Sequence, residues 1–165
     1  MTGTQTAIRT TQVYRLYIKA TPQAIWDAVT KPEWTKQYGY PGYSEYELRK
    51  GGAYRAFADE SMKANGAPDI IVEGEVIEVD PPHKLVHSWH MLWDPALVAE
   101  GFTQVTWEIE QDPFGLTRLT VTHDVEGAPA SARQLSGENL NAGGGWSFIL
   151  SDLKTLLETG KPLAA

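Results

Sequence analysis

Four histidines and a large aromatic supply, six Trp and seven Tyr among 165 residues, are the side chains that could do chemistry here. His83, His87 and His90 invite a metal reading, because on a helix His83 and His87 would converge. The segment follows Pro81-Pro82 and is rich in β-formers, so it reads as a strand. There, i to i+4 spans about 13 Å and i to i+3 points to opposite faces, too divergent for shared coordination. No metal and no cofactor is expected. His87 and His123 remain as candidate acid–base groups or hydrogen-bond donors, since an imidazole titrating near pH 6.5 offers either protonation state. The competing reading is two satisfied core histidines. Asp124 adjoins His123 but takes the opposite strand face, so the two do not make a dyad.

Other chemistries find no footing. Zero cysteines exclude thiol catalysis, disulfides and cysteine-held zinc. No Gly-x-Ser-x-Gly elbow occurs. Glu73 with Glu75, and Glu108 with Glu110, read as solvated strand faces. Gly143-Gly144-Gly145 lacks the Lys-Ser/Thr of a phosphate loop and reads as a hinge or close-packing point at a helix start.

The elements that would position these residues follow from periodicity. Gln12 to Lys19 alternates as a half-buried strand. Thr21-Pro22 starts a short helix with Ile25, Trp26 and Val29 on one face, and a second short helix covers Pro32 to Gln37. Six strands follow: Tyr43–Leu48, Gly52–Asp59, Ile70–Val79, Leu85–Met91, Phe102–Glu110 and Leu116–Val125. Short Gly, Pro and Asn turns join them as an antiparallel meander. Residues 126–141 are small and polar and read as a loop. Trp146, Ile149, Leu150, Leu153, Leu156 and Leu157 then mark an amphipathic helix ended by Gly160 and Pro162. The domain is expected over 12–162, with 1–11 as a flexible N-terminus.

Strand parity selects an inner face. Leu85, His87 and Trp89 share a side, as do Val105, Trp107 and Ile109, and Leu119, Val121, His123 and Val125. Arg118, Thr120, Thr122 and Asp124 take the solvent side. Trp146 and Leu150 would cover that face from the helix, and Tyr54 would join from its strand. Tyr38, Tyr40 and Tyr43, interleaved with Gly39, Pro41 and Gly42, could line a pocket mouth. Ligand-binding candidates are therefore Trp89, Trp107, His87, His123, Val105, Val121, Trp146, Leu150, Tyr38 and Tyr54. The rival picture is a solid core. Polar-tipped aromatics are over-supplied for a dry interior, and buried indole N–H groups require partners.

The order of elements resembles the helix-grip fold of the START-like, or SRPBCC, superfamily. Ile18-Lys19-Ala20-Thr21-Pro22-Gln23-Ala24-Ile25-Trp26-Asp27-Ala28 resembles its opening. Gly74 to Val86, with Pro81-Pro82 inside, resembles its central strand pair, and Thr117-Arg118-Leu119-Thr120-Val121-Thr122-His123 its last strand. Gly145-Trp146 with Leu150, Leu153, Leu156-Leu157-Glu158 and Gly160 resembles its long helix. Together they are most similar to the branch named after the C-terminal domain of the activator of heat-shock protein 90 ATPase. The resemblance implies an α+β fold, a curved antiparallel sheet wrapped around a long C-terminal helix, with two short helices after the first strand. It also implies a cavity between sheet and helix, and members that bind lipids, hormones or polyketides, act as cyclases, or contact a chaperone. Full-length chaperone activators carry an additional N-terminal domain for which this chain has no room, which argues against chaperone contact.

Composition bounds the partners. Fourteen basic against 21 acidic residues give a formal charge of −7, which argues against nucleic acid. No apolar run reaches the roughly 18–20 residues of a membrane span, and the N-terminus lacks signal-peptide character, so a cytoplasmic protein is expected. The reading is a single domain binding a hydrophobic or aromatic small molecule. The alternatives are a cyclase or dehydratase using His123 or His87 in the same cavity, and a chaperone-interaction module. The first strand and the outer face of the long helix could pair two copies as a homodimer.

Overall fold

The computed structural model describes residues 10–163. The elements run β1 (Thr11–Ile18), α1 (Pro22–Thr30), α2 (Pro32–Thr35), β2 (Tyr43–Tyr46), β3 (Ala53–Phe57), α3 (Glu60–Ala64), β4 (Ile70–Asp80), β5 (Lys84–Met91), α4 (Pro95–Glu100), β6 (Thr103–Gln111), β7 (Thr117–Asp124), α5 (Pro129–Leu135) and α6 (Gly145–Thr159). A 3-10 turn at Leu140–Ala142 precedes α6. The strands form one open sheet, ordered β1-β7-β6-β5-β4-β3-β2, with every neighbouring pair antiparallel. This is the α+β helix-grip architecture. Register shifts at Ala56/Phe57 and Val76/Glu78 mark bulges, which bend and twist the strands that carry them.

The two short helices after β1 form for local reasons. Thr21 Oγ1 accepts from Ala24 N at 3.1 Å, capping α1, and Pro22 supplies its first residue. Ile25, Trp26 and Val29 are buried beneath it. Proline at 32 then forces a restart as α2, one turn long. At the other end, Trp146, Leu150, Leu153 and Leu156 of α6 are buried against the sheet. Gly160, at φ 81°, closes α6 in the left-handed conformation. Gly145 has φ 58°, and a Cβ there would collide with the Leu135 carbonyl oxygen, so the start of α6 lies directly on the end of α5.

Three helices differ from the sequence expectation, each for a visible reason. α3 buries none of its residues, so it has no apolar period to read, and its stop–start signal is the Asp59 carboxylate accepting from Met62 N at 2.8 Å. α4 is six residues long and is capped by Asp94. α5 lies in the stretch expected to be a loop. Its inward residue Ser131 is polar because it binds a carboxylate: Glu100 at the end of α4 accepts from Ala130 N, Ser131 N and Ser131 Oγ at 2.7–2.8 Å. Partial burial pushes the Glu100 carboxyl up, but those hydrogen bonds outweigh it and hold the group below its ordinary range.

Parity holds along β6, whereas in β5 Val86 and His90 are buried along with Leu85, His87, Trp89 and Met91 of the opposite parity. Thr120, expected on the solvent face, is nonetheless buried, because it sits between Arg15 and Glu108 in register, flanked by two long side chains. Strand β1 begins at Thr11, paired with Asp124, one residue ahead of the expected boundary, and residues 1–9 of the expected flexible segment lie outside the described residues. Among the described residues, no helix is long and apolar enough to cross a membrane.

The packing of α6 sets a direct test. Leu153 is fully buried and Leu140 is almost fully exposed. Leu153→Ala should lower unfolding free energy by about 2–5 kcal/mol in urea titrations at unchanged m, and Leu140→Ala by less than about 0.5 kcal/mol.

Candidate functional site

The middle of the sheet sets His87, Val105 and His123 in one row across β5, β6 and β7, with Leu85, Trp107 and Val121 in the next. Diagonal neighbours on one face are within reach of long side chains. Trp107 Nε1 donates to His87 Nε2 at 3.0 Å, and His87 Nδ1 lies 2.9 Å from Ser88 O. His87 therefore carries its proton on Nδ1, donating to the carbonyl, and accepts at Nε2. His123 is the mirror case. Trp146 Nε1 donates to His123 Nδ1 at 3.0 Å, which leaves the proton on Nε2, 2.6 Å from Thr103 Oγ1. Thr103 Oγ1 in turn donates a hydrogen bond to Trp89 O at 3.2 Å. One relay thus joins α6, β7, β6 and β5.

Both rings are neutral. Burial pushes His87 down to about 4, against a smaller upward pull from Ser88 O. Burial and the neighbouring His87 push His123 down to about 3. All four imidazole nitrogens are engaged, two of them by indoles.

Above this layer lies a cavity of about 510 Å³. Trp89, Trp107 and Trp146 form one wall, with Trp89 5.4 Å and Trp107 5.3 Å from Trp146 between ring centroids. Tyr46 and Tyr54 stack at 4.6 Å on β2 and β3, and Tyr54 lies over His87 at 4.3 Å. Val29, Ala56, Met62, Ile71, Val72, Leu135 and Ile149 add to the apolar lining. Among the described residues, no Asp, Glu, Lys, Arg or His lines this space. Burial raises the Tyr38, Tyr46 and Tyr54 phenols far above their ordinary range, so they are uncharged donors and acceptors.

The segment carrying Tyr38, Tyr40 and Tyr43 lies along this lining and is pinned to α6. Tyr38 Oη donates to Ala28 O at 2.8 Å. Gly39 N donates to the buried Asp152 at 2.8 Å, whose other oxygen accepts from Leu163 N at 2.7 Å. Tyr40 Oη donates to Ala142 O at 3.1 Å and accepts from Gly145 N at 3.0 Å.

Of the candidates read from sequence, Tyr38, Tyr54, Trp89, Trp107 and Trp146 line the cavity. His87, His123, Val105, Val121 and Leu150 are buried outside its lining, the histidines as acceptors for the wall indoles. Sequence reasoning missed Thr103, although it shares the inward parity of Val105 and Trp107. It also missed Tyr46, which faces Tyr54 across the β2–β3 hairpin, and Trp93, which follows β5 outside any strand. Asp152 carried no signal beyond its place beside the apolar stripe of α6. His83, His87 and His90 diverge to Ile109 O, Trp107 and Val98 O, and no group of three metal-ligating side chains gathers among the described residues.

Comparison with known proteins follows the fold. The family model described as activator of Hsp90 ATPase homolog 1-like protein matches residues 19–158. No curated protein matches the sequence. Among solved structures, the chain is similar to DynU16, a protein in the dynemicin biosynthetic locus, at 25% identity and TM-score 0.65, covering 93% of this chain and 49% of that one. This chain thus spans about half the length of DynU16. Protein MLL2253 from Mesorhizobium loti matches at 22% identity and TM-score 0.63, covering 90% of this chain and 96% of that one. The Aha1 dimer from Colwellia psychrerythraea, a solution structure, matches at 18% and 0.61, covering 92% and 96%. The last two show likeness of fold.

The imidazoles make stability depend on pH with a definite sign. Both folded-state values lie below the ordinary 6.5, so the unfolded chain takes up protons first as pH falls. Stability present above about pH 6.5 should fall by up to about 1.4 kcal/mol per pH unit for each ring, toward about pH 4 for His87 and about pH 3 for His123. His123→Gln should remove roughly half of that slope between about pH 6.5 and 5, read from urea midpoints at each pH. Long-range ¹H–¹⁵N spectra near pH 6 should show His87 as the Nδ1–H and His123 as the Nε2–H tautomer.

Proposed function

The chain belongs to the activator of Hsp90 ATPase homolog 1-like family, and within it we propose a binding protein for an uncharged, flat aromatic small molecule, held between α6 and the sheet. The observation that carries this reading is a cavity of about 510 Å³ walled by Trp and Tyr rings, with no charged side chain on its lining among the described residues. Ligand pockets of this size are lined mostly by apolar and aromatic groups with a few polar tips that orient the occupant. Binding would come from apolar burial, at about 25 cal/mol per Å², and from ring stacking. Tyr46 and Tyr54, with Ser44 beside them, would supply neutral hydrogen bonds.

A charged ligand would fit badly. It would lose its hydration shell with no opposite charge to meet it. The biosynthetic locus that encodes DynU16 is in keeping with a small-molecule ligand. The histidines do not favour a cyclase-type reaction at this cavity. An acid or base must reach the proton it moves, and these rings are held behind the wall with both nitrogens engaged. Their role in this reading is to fix the indoles.

The test uses a matched pair of probes. 9-Anthracenemethanol should quench tryptophan fluorescence with a Kd of about 1–10 μM, and 9-anthracenecarboxylate should bind at least about tenfold more weakly. Ala67→Trp, which adds a large ring at a half-buried lining position, should weaken the alcohol at least about tenfold. Flat titrations with both probes, or equal affinity for the carboxylate, would overturn the reading.

A further inference from the structure

A second cleft, of about 460 Å³, lies between α4 and α5 and adjoins the aromatic cavity. Trp93 and Gln134 line both spaces. What divides them is thin: Gln134 Nε2 and Tyr40 Oη both donate to Ala142 O, at 3.0 and 3.1 Å. The chemistry changes sharply across that partition. The first space has no charged lining residue, whereas Asp94, Arg133, Glu138 and Asn139 line the second. Among the described residues, neither the Arg133 guanidinium nor the Glu138 carboxylate has a hydrogen-bond or ion-pair partner, and the Arg133 charge acts on the neighbouring Glu100 carboxylate without touching it, so the donors of Arg133 and the acceptors of Glu138 can meet an occupant. The floor is firm, because the Glu100 carboxylate ties α5 to the end of α4.

From this juxtaposition we propose that the cleft is a subsite for a neutral, hydroxyl-rich substituent, so that the full ligand is an aromatic glycoside or similar polyol conjugate. The inference rests on the aromatic-binding reading of the first cavity and extends it. A lone anion seated on Arg133 would face Asp94 and Glu138, and a lone cation would face Arg133. A sugar presents donors and acceptors together and uses both signs. Hydroxyls donate to the carboxylates and to the Asn139 and Gln134 amide oxygens, and they accept from the guanidinium and the amide N–H groups. Trp93, at the boundary, offers an indole beside which the C–H face of a sugar ring can pack. The aromatic part would remain among the tryptophans, and the linkage between the two parts would pass Trp93 and Gln134.

The probes are 9-anthracenemethanol and its β-D-glucoside, titrated by tryptophan fluorescence and by calorimetry against the wild type and the Arg133→Ala/Glu138→Ala double variant. Neither substituted residue lines the aromatic cavity. The glucoside should bind the wild type at least tenfold more tightly than the alcohol. The double variant should bring the glucoside to the affinity of the alcohol and leave the alcohol itself unchanged. A glucoside that binds no more tightly than the alcohol, or an advantage that survives the double variant, overturns the subsite while the aromatic reading stands. Failure of both probes overturns both.

Discussion

The structure depends on two imidazoles that burial keeps neutral down to about pH 4 for His87 and about pH 3 for His123. Each accepts a hydrogen bond from an indole that forms the cavity wall, and each gives its own proton to an oxygen of the sheet, a backbone carbonyl at Ser88 and a hydroxyl at Thr103. An indole whose N–H is satisfied by a fixed partner is held at its edge and cannot pivot freely into empty space. Buried polar networks of this kind specify one arrangement when every member is satisfied. The exception is Trp89, whose indole nitrogen is buried with no partner among the described residues. It is held by its neighbours instead, stacked with Tyr54 at 5.8 Å and edge-on to His123 at 5.7 Å. The rings of the wall are thus braced from behind, and space remains in front of them.

The same network fixes the long helix. Trp146 opens α6 and reaches His123 on β7 and, through Thr103, the backbone of β5. Asp152, farther along α6, draws in the Tyr38–Tyr40 segment by way of Gly39. Helix, sheet and rim are therefore joined by directional bonds as well as by the packing of Leu150, Leu153 and Leu156. The chain carries a formal charge of −7, yet its cavity is walled without charge. In the proposed reading that contrast would favour a neutral aromatic occupant, since a charge brought inside would find no partner.

Much of this was legible in the sequence because parity and period are physical constraints. Alternation in Val105-Thr106-Trp107 and Val121-Thr122-His123 fixes which side chains face α6, and the Trp146 to Leu157 stripe fixes the helix. Parity alone, however, sets His87 and Trp89 on one face without telling which reaches open space. That depends on ring size and tilt: the larger indoles extend past the imidazoles to the lining, and the histidines end beneath them. The helices α3, α4 and α5 escaped for a related reason. They are short and held by capping carboxylates at Asp59, Asp94 and Glu100 rather than by apolar stripes. The polar cleft beside α5 was hidden with them, because it is assembled from two segments, Trp93 to Leu97 and Ala130 to Ala142, that lie far apart in the chain.

The central claim is that a neutral aromatic molecule lies against the braced indoles. Intermolecular NOEs in the complex with 9-anthracenemethanol test it most directly. The account predicts contacts from the anthracene protons to the Trp107 and Trp146 rings, with the His87 and His123 nitrogen shifts still those of neutral rings. NOEs confined to exposed groups such as Phe114 and Leu140, or a change of tautomer at either histidine on binding, would contradict it.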